Sequence, residues 1–415
     1  YIFLGLSLIF ACSDDSSDAN APDPCPSQPT LQTNPVTQIE NGDGTDDMVS
    51  VTLNGEIINN PIGANCETLS ITSQGFVWAT NTLPTIEDES VSVSGTNINA
   101  SISNLNNENV YYVRTYLTNT LGTFYGNEVS FETPESPNPV YLADNGITIK
   151  AREWAEIGMS GEINGFTYTI VDRELLDQMI SDNEDLSRVC ITKITDLGWN
   201  ENGSTTNSPL FFQDMSQTNN VINQELSNWD VSNVTDMSFM FYYASGVEQD
   251  FSNWDFSNVT NMRQMFEGSS ITPDSSINNW DVSNVTDMSY MFKLLFSGNL
   301  ELSNWDVSSV TDMSGMFSGN GSSGADYPNI GDWNVSNVAN MYGMFYGNTL
   351  FNQDISTWNV SNVTNMQYMF AYAYEFNQDL SDWDVANVTN CGGFNINSLN
   401  SWTLPQPNFT NCNPD

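Results

Sequence analysis

Residues 229–241 read WDVSNVTDMSFMF, and residues 358–370 read WNVSNVTNMQYMF, near-copies of one phrase. The phrase opens at Trp229, Trp254, Trp280, Trp305, Trp333, Trp358 and Trp383, in steps of 25, 26, 25, 28, 25 and 25 residues. A period of this length predicts a stacked array in which each unit buries its apolar face only against its neighbours. Written from three residues earlier, the unit is L-x-x-W-x-V-S-N-V-T-x-M-x-x-M-F, with Leu226, Trp229 and Val231 at L-x-x-L-x-L spacing. Alternation puts Trp229 and Val231 inward on a strand and turns Asn228, Asp230 and Ser232 outward. Val234, Met237, Met240, Phe241 and Ala244 then recur at three and four, which predicts a short amphipathic helix. Asn233 would be its N-cap, with Asp236 near the positive end of its dipole. The six M-x-x-M-F units hold 12 of the 16 methionines. At this spacing the Met and Trp columns read as core rather than as a binding groove.

Working outward, the repeat degenerates at both ends. Leu186-x-x-Val189-x-Ile191, followed by Ile194 and Leu197, fits the unit without its Trp, and Cys190 takes the slot of Asp230. Before it, GITIKA (146–151), FTYTIVD (166–172) and the helix-like RELLDQMI (173–180) read as an N-terminal cap. Leu399-x-x-Trp402-x-Leu404 reads as a last strand. Terminal units need caps because one face lacks a neighbour. Cys391 stands where Met366 stands one unit earlier, and Cys412 follows the last strand, so a Cys391–Cys412 disulfide would staple that end. Cys25 and Cys66 form a second candidate pair within one domain, leaving Cys190 as a buried thiol.

Lys plus Arg number 8 and Asp plus Glu 51, a formal charge of −43. Such a surface repels nucleic acid and anionic headgroups and favours cations, basic partners or neutral sugars. After residue 200 the basic side chains are Arg263 and Lys293. Histidine is absent, which removes the commonest general base, the Ser/His and Cys/His couples and most transition-metal sites. No phosphate loop, dinucleotide fingerprint or metalloprotease motif occurs. Paired carboxylates could serve a glycosidase, but in so acidic a chain close pairs arise by chance. The chain does not read as an enzyme, and no catalytic residue is assigned.

Residues 1–11, YIFLGLSLIFA, form an apolar run ending at Cys12. It is too short to cross a bilayer as a stable helix but suits the apolar region of a secretory signal. The absence of an initial Met and basic segment suggests that the start of that signal lies ahead of Tyr1. The end, Ile9-Phe10-Ala11-Cys12, resembles a bacterial lipobox, although Phe10 replaces the usual small residue. That resemblance implies an acylated Cys12 as the first mature residue, anchored in a membrane by its lipid. The polar, acidic SDDSSDANAPDP (13–24) reads as a disordered tether, and its Ser13-Asp14-Asp15 start resembles the export signal of surface-exposed lipoproteins. Runs such as VSVTLNGEI (49–57) and VYYVRTYLTN (110–119) alternate as strands do. The stretch from Leu105 through Tyr111 to Gly122 resembles the late strands of a fibronectin type III domain, with Tyr111 in the place of its corner tyrosine.

The repeated phrase resembles the BspA-like leucine-rich-repeat surface proteins over roughly residues 140–415. The resemblance implies a mainly β chain with short helices: an N-terminal fibronectin type III-like β-sandwich, then a leucine-rich-repeat-like α/β solenoid. The expected divisions are a signal and lipobox (1–12), a tether (13–26), the sandwich (27–134) and a linker (135–139). A cap with a degenerate repeat (140–200), the solenoid (201–390) and a C-terminal cap (391–415) complete the chain. The family also implies a bacterial surface protein, placed on the outer membrane or cell surface. Adhesion or binding to a surface protein or polysaccharide is the leading expectation. A structural matrix component without a specific ligand comes second, and a carbohydrate-active enzyme a distant third.

The expected ligand face is a pair of outward columns. One holds Asp230, Asp255, Asp281, Asp306, Asn334, Asn359 and Asp384; the other holds Asn228, Asn253, Asn279, Asn304, Asp332, Thr357 and Asp382. On parallel strands about 4.8 Å apart, adjacent carboxylates would repel by roughly 1–3 kcal/mol. Calcium at Asp230, Asp255, Asp281 and Asp306 would relieve that repulsion; a solvated face with local hydrogen bonds is the alternative, and otherwise no cofactor is expected.

Overall fold

The computed structural model describes residues 28–41, 48–59, 69–199, 225–244, 250–269, 275–295, 300–320, 328–398 and 402–415. The fold is mainly β, and the chain divides into two compact units between Pro137 and Asn138.

The first unit holds eight strands: β1 (Thr30–Asn41), β2 (Met48–Asn59), β3 (Ser73–Ala79), β4 (Glu89–Ser92), β5 (Asn97–Asn106), β6 (Val110–Asn119), β7 (Gly122–Tyr125) and β8 (Val129–Glu132). One antiparallel sheet runs β1-β2-β5; the other runs β4-β3-β6-β7, with β8 also paired to β6. Strict alternation makes the core. Val49, Val51 and Leu53 of β2, with Ile98, Ala100 and Ile102 of β5, meet Phe76 of β3 and Val113 of β6 in one cluster. Side chains of period two bury one face of each sheet against the other. The Tyr111 hydroxyl accepts the Asn106 N–H at 3.1 Å, tying the start of β6 back to β5.

The second unit opens with β9 (Val140–Leu142) and β10 (Ile149–Ala151), then β11 (Ser160–Ile163) and β12 (Phe166–Ile170). Helix α1 (Arg173–Ser181) follows, with the Asp172 carboxylate accepting the Leu175 N–H as its N-cap. Strand β13 (Val189–Cys190) pairs parallel to β12. The expected cap strands and helix therefore form where their periodicity places them. The degenerate repeat joins the same hydrophobic core as the full ones, through Leu186, Val189, Ile191, Ile194 and Leu197.

Within the repeats the burial pattern agrees with expectation, but the backbone differs. No strand forms over W-x-V. Trp229 N–H instead closes a turn on Leu226 C=O, and Val234 N–H closes another on Val231 C=O. Pairing between units falls on the next residues, V-T-x-M, through single parallel bridges running Asp196, Asp236, Asn261, Asp287, Asp312, Asn340, Asn365 and Asn390. Nor does a helix form over 234–244. Its residues make i→i+3 turns, but Met237, Phe239, Phe241 and Tyr243 donate instead to carbonyls of the following unit, at Asn261, Arg263, Met265 and Glu267. Phe239 and Tyr243 both take positive φ, and the corresponding residues repeat this in later units (Tyr290 and Leu294, Gly315 and Gly319, Tyr368 and Tyr372). A left-handed residue every fourth position turns alternate peptides toward the neighbour. A helix would satisfy those groups internally, whereas this backbone spends them on joining one unit to the next. The last expected strand is likewise missing: Trp402 is buried, but Leu404 is exposed, and Leu399 lies outside the described residues.

The interior is a set of aromatic and sulfur columns. The phenylalanines 241, 266, 292, 317, 345 and 370 stack with centroid separations of 5.5, 6.0, 5.9, 5.9 and 5.5 Å. Stacked indole pairs run at 6.2–6.5 Å, as in Trp280–Trp305 and Trp305–Trp333. Each buried indole N–H needs a partner. Trp254, Trp305, Trp333, Trp358 and Trp383 donate to the carbonyl of the residue opening the previous unit. Trp280 Nε1 lacks an acceptor; there Phe256 replaces the usual Val and stacks on the indole at 3.9 Å.

Candidate functional site

The ladder residues hold the array together through local bonds. Asn233, the expected helix cap, sends its side-chain N–H₂ to Thr192 C=O instead. Asn258, Asn284, Asn337, Asn362 and Asn387 reach the Ser carbonyl of the preceding unit in the same way. Thr260, Thr286 and Thr311 clip their hydroxyls to the previous Thr carbonyl at 3.1 Å. Asp236 and its equivalents each accept the N–H two residues on, and Asn261 donates across the junction to Asp236 Oδ2 at 2.7 Å.

The outward Asp column divides. Asp255, Asp281, Asp306, Asn334, Asn359 and Asp384 are exposed, and each accepts the N–H two residues later. The Ser308 hydroxyl and N–H hold the Asp306 carboxyl below the usual range; Asp250, Asp354 and Asp379, at another turn of the unit, are lowered by Ser252, Ser356 and Ser381 in the same way. Asp230 departs from the expected outward position. It is 2 % exposed and pairs with Lys150 at 3.4 Å, because the cap covers the outer side of the first full unit. In the second column Asn228 and Asn253 are half-buried, and Asn279, Asn304, Asp332, Thr357 and Asp382 are exposed. Asn228 is tied to the degenerate repeat through Ser187 C=O.

Among the described residues no three carboxylate or thiol side chains converge on a metal-sized position. Each exposed Asp of the column already commits one oxygen to its own turn. Cys391 and Cys412 are disulfide-bonded, as their positions predict, whereas Cys12, Cys25 and Cys66 lie outside the described residues. Cys190 is a buried free thiol, with its pKa pushed up by desolvation.

The sequence reading missed a second surface. Eight tyrosines of the array (Tyr242, Tyr243, Tyr290, Tyr342, Tyr346, Tyr368, Tyr372 and Tyr374) follow the first Met of their units and stay at least partly exposed. Several cover glycines of the next unit. A Cβ on Gly315 would come within 2.2 Å of the Tyr290 ring, one on Gly393 within 2.4 Å of Tyr368, and one on Gly268 within 2.8 Å of Tyr243. Arg263 and Lys293 both approach Tyr290, at 5.5 and 5.2 Å from its centroid, and Lys293 pairs with buried Glu267 at 2.7 Å. The signal was present in the alternation of Tyr with Gly at one slot, but a helical reading of that segment hid it.

These features define a class: an acidic, mainly β repeat chain with an aromatic interior and two chemically distinct exposed surfaces. Residues 210–327 and 323–400 are similar to a family described as "Mycoplasma protein of unknown function, DUF285". No curated protein matches the chain.

Proposed function

We propose that this chain is a bacterial cell-surface lipoprotein whose repeats form a leucine-rich-repeat-like solenoid of the BspA-like kind and bind a protein or polysaccharide ligand. The observation that carries the reading is the unbroken run of parallel bridges from Asp196 to Asn390. It brings equivalent side chains of successive units into register, so one chemical group repeats along the surface at about 4.8 Å per unit. A surface of that kind suits extended ligands better than a single small molecule. The exposed Asp and Asn column, from Asp255 to Asp384, offers carboxylate and amide oxygens for ligand contact.

The first unit serves as a fibronectin type III-like spacer, a reading supported by its two antiparallel sheets and by the Tyr111 hydroxyl bond to Asn106 N–H. Cys12 carries the lipid. Cys12→Ala should release the protein from membranes, and unchanged membrane partition without acyl label would overturn the anchor. Surface display is tested by protease access in intact cells. Glycan and protein arrays probed with the mature chain test the binding role. Absence of any captured ligand would favour a structural matrix component instead.

A further inference from the structure

We propose that the tyrosine cluster at residues 342–374 binds an extended neutral polysaccharide, its pyranose rings stacked on Tyr346 and Tyr374. The inference rests on the array being a ligand-binding surface, but places the ligand on a different face from the Asp and Asn column.

Five tyrosines from two successive units join in one chain of edge-to-face contacts. Tyr342 meets Tyr368 at 6.0 Å, Tyr368 meets Tyr346 at 6.4 Å, Tyr346 meets Tyr372 at 5.5 Å, and Tyr372 meets Tyr374 at 6.4 Å. Part of the cluster has a structural role, since Tyr368 covers Gly393. Tyr346 and Tyr374 do not share it. The equivalent of Tyr346 in the next unit is Ala371, and the two rings remain 42 % and 48 % exposed. Outer aromatics of other units, such as Phe239, Tyr242, Tyr243 and Tyr290, are half-buried, whereas Tyr346 and Tyr374 are exposed, so this cluster leaves more aromatic area in water than its counterparts. Contiguous exposed apolar area marks an interaction site more often than scattered single residues do.

Charge selects the class of ligand. The two basic side chains of the array are engaged at Tyr290, in another unit, and the whole chain carries −43. An anionic polymer would be repelled at long range, with no cation at the cluster to hold it. Arginine, which commonly partners tyrosine where proteins meet, is also missing from the cluster. What remains is aromatic faces, phenolic hydroxyls, the exposed carboxylate of Glu375 beside Tyr374, which also accepts from sugar hydroxyls, and the neutral amide of Gln367, a residue that borders Tyr342 through the Gly343 N–H to Gln367 C=O bond. Pyranose rings match that inventory. Their axial C–H faces are apolar and stack on an aromatic ring, while their equatorial hydroxyls exchange hydrogen bonds with phenol and amide. The rise between units, about 4.8 Å, is close to the length of one sugar unit in an extended β-linked chain. Such a chain laid across the units keeps its phase from one to the next.

The test uses the full mature chain, with soluble mixed-linkage β-glucan as probe and heparin as the anionic control, read by calorimetry and affinity electrophoresis. The intact protein should bind the glucan and ignore heparin. Tyr346→Ala combined with Tyr374→Ala should weaken glucan binding at least about tenfold with an unchanged melting temperature, because both rings are peripheral to the core. The paired Phe variants should retain affinity within about threefold, and Glu87→Gln, at an exposed position of the first unit, should leave it unaltered. Unchanged affinity in the Ala pair, or an equal loss in Glu87→Gln, overturns the assignment to this cluster. An intact chain that captures a protein but no neutral glucan overturns the polysaccharide inference and leaves the binding role standing. A chain that captures neither overturns both.

Discussion

Gly315 occupies the left-handed slot at φ +60, directly beneath the Tyr290 ring. A methyl group there meets two costs. The left-handed conformation disfavours any Cβ by about 1–2 kcal/mol. The added carbon would also lie 2.2 Å from the Tyr290 ring, so the ring must lift from its seat, a packing cost of about 1–3 kcal/mol. Gly343 is the same slot one unit later, with φ +56, but no aromatic ring covers it; the nearest neighbour of its added carbon would be Tyr346 Cβ at 3.5 Å. Gly343→Ala should therefore cost only the backbone part, about 1–2 kcal/mol, and Gly315→Ala about 2–5 kcal/mol. Urea unfolding of the full chain, followed by the fluorescence of the stacked indoles, measures both. In a Tyr290→Ala background the excess at Gly315 should vanish while the backbone part persists. Equal costs at the two glycines, or an excess that survives removal of the ring, would refute the idea that glycine is required as a seat for the preceding tyrosine.

Three further outcomes follow from the same geometry. Cys391 and Cys412 enclose a loop with a sequence separation of 21 residues, so Cys412→Ser should destabilise the C-terminal end by about 3 kcal/mol, and unreduced mass mapping should recover the 391–412 bridge. Burial, and then the neighbouring Asp236, raise the pKa of Asp196. A carboxyl that protonates more easily folded than unfolded favours folding at low pH, and the benefit is lost as pH rises through its folded value. Asp196→Asn should hence raise the melting temperature at neutral pH, with the gain shrinking as pH falls through the raised folded value of Asp196 and gone below the ordinary carboxyl value of about 4; a gain independent of pH would exclude this origin. If the exposed Asp column is a solvated face with local hydrogen bonds, Ca²⁺ should raise the melting temperature no more than NaCl of equal ionic strength. A larger effect of Ca²⁺ that Asp255→Asn with Asp281→Asn removes would show a calcium site there.

The sequence by itself determined the period of the array, the identity of its buried columns, the strands and helix of the N-terminal cap and the Cys391–Cys412 pair. Burial is legible because Trp229, Val231, Val234, Met237, Met240 and Phe241 must reach the interior whatever backbone carries them. Backbone state is not legible in the same way. Apolar residues at three and four lie on one side of a helix, and they also lie on one side of successive turns with a left-handed residue at every fourth position. Only the tertiary structure separates the two, since what decides is whether Phe239 and Tyr243 donate their N–H groups within the segment or to Arg263 and Glu267 of the next unit. The same distinction hid the tyrosine surface. On a helix Tyr290 and Gly315 are unrelated surface residues, and in the stacked array one ring rests on the other's bare backbone. The burial of Asp230 was equally out of reach, because Lys150 comes to it from a strand eighty residues away and no local pattern encodes an approach over that separation.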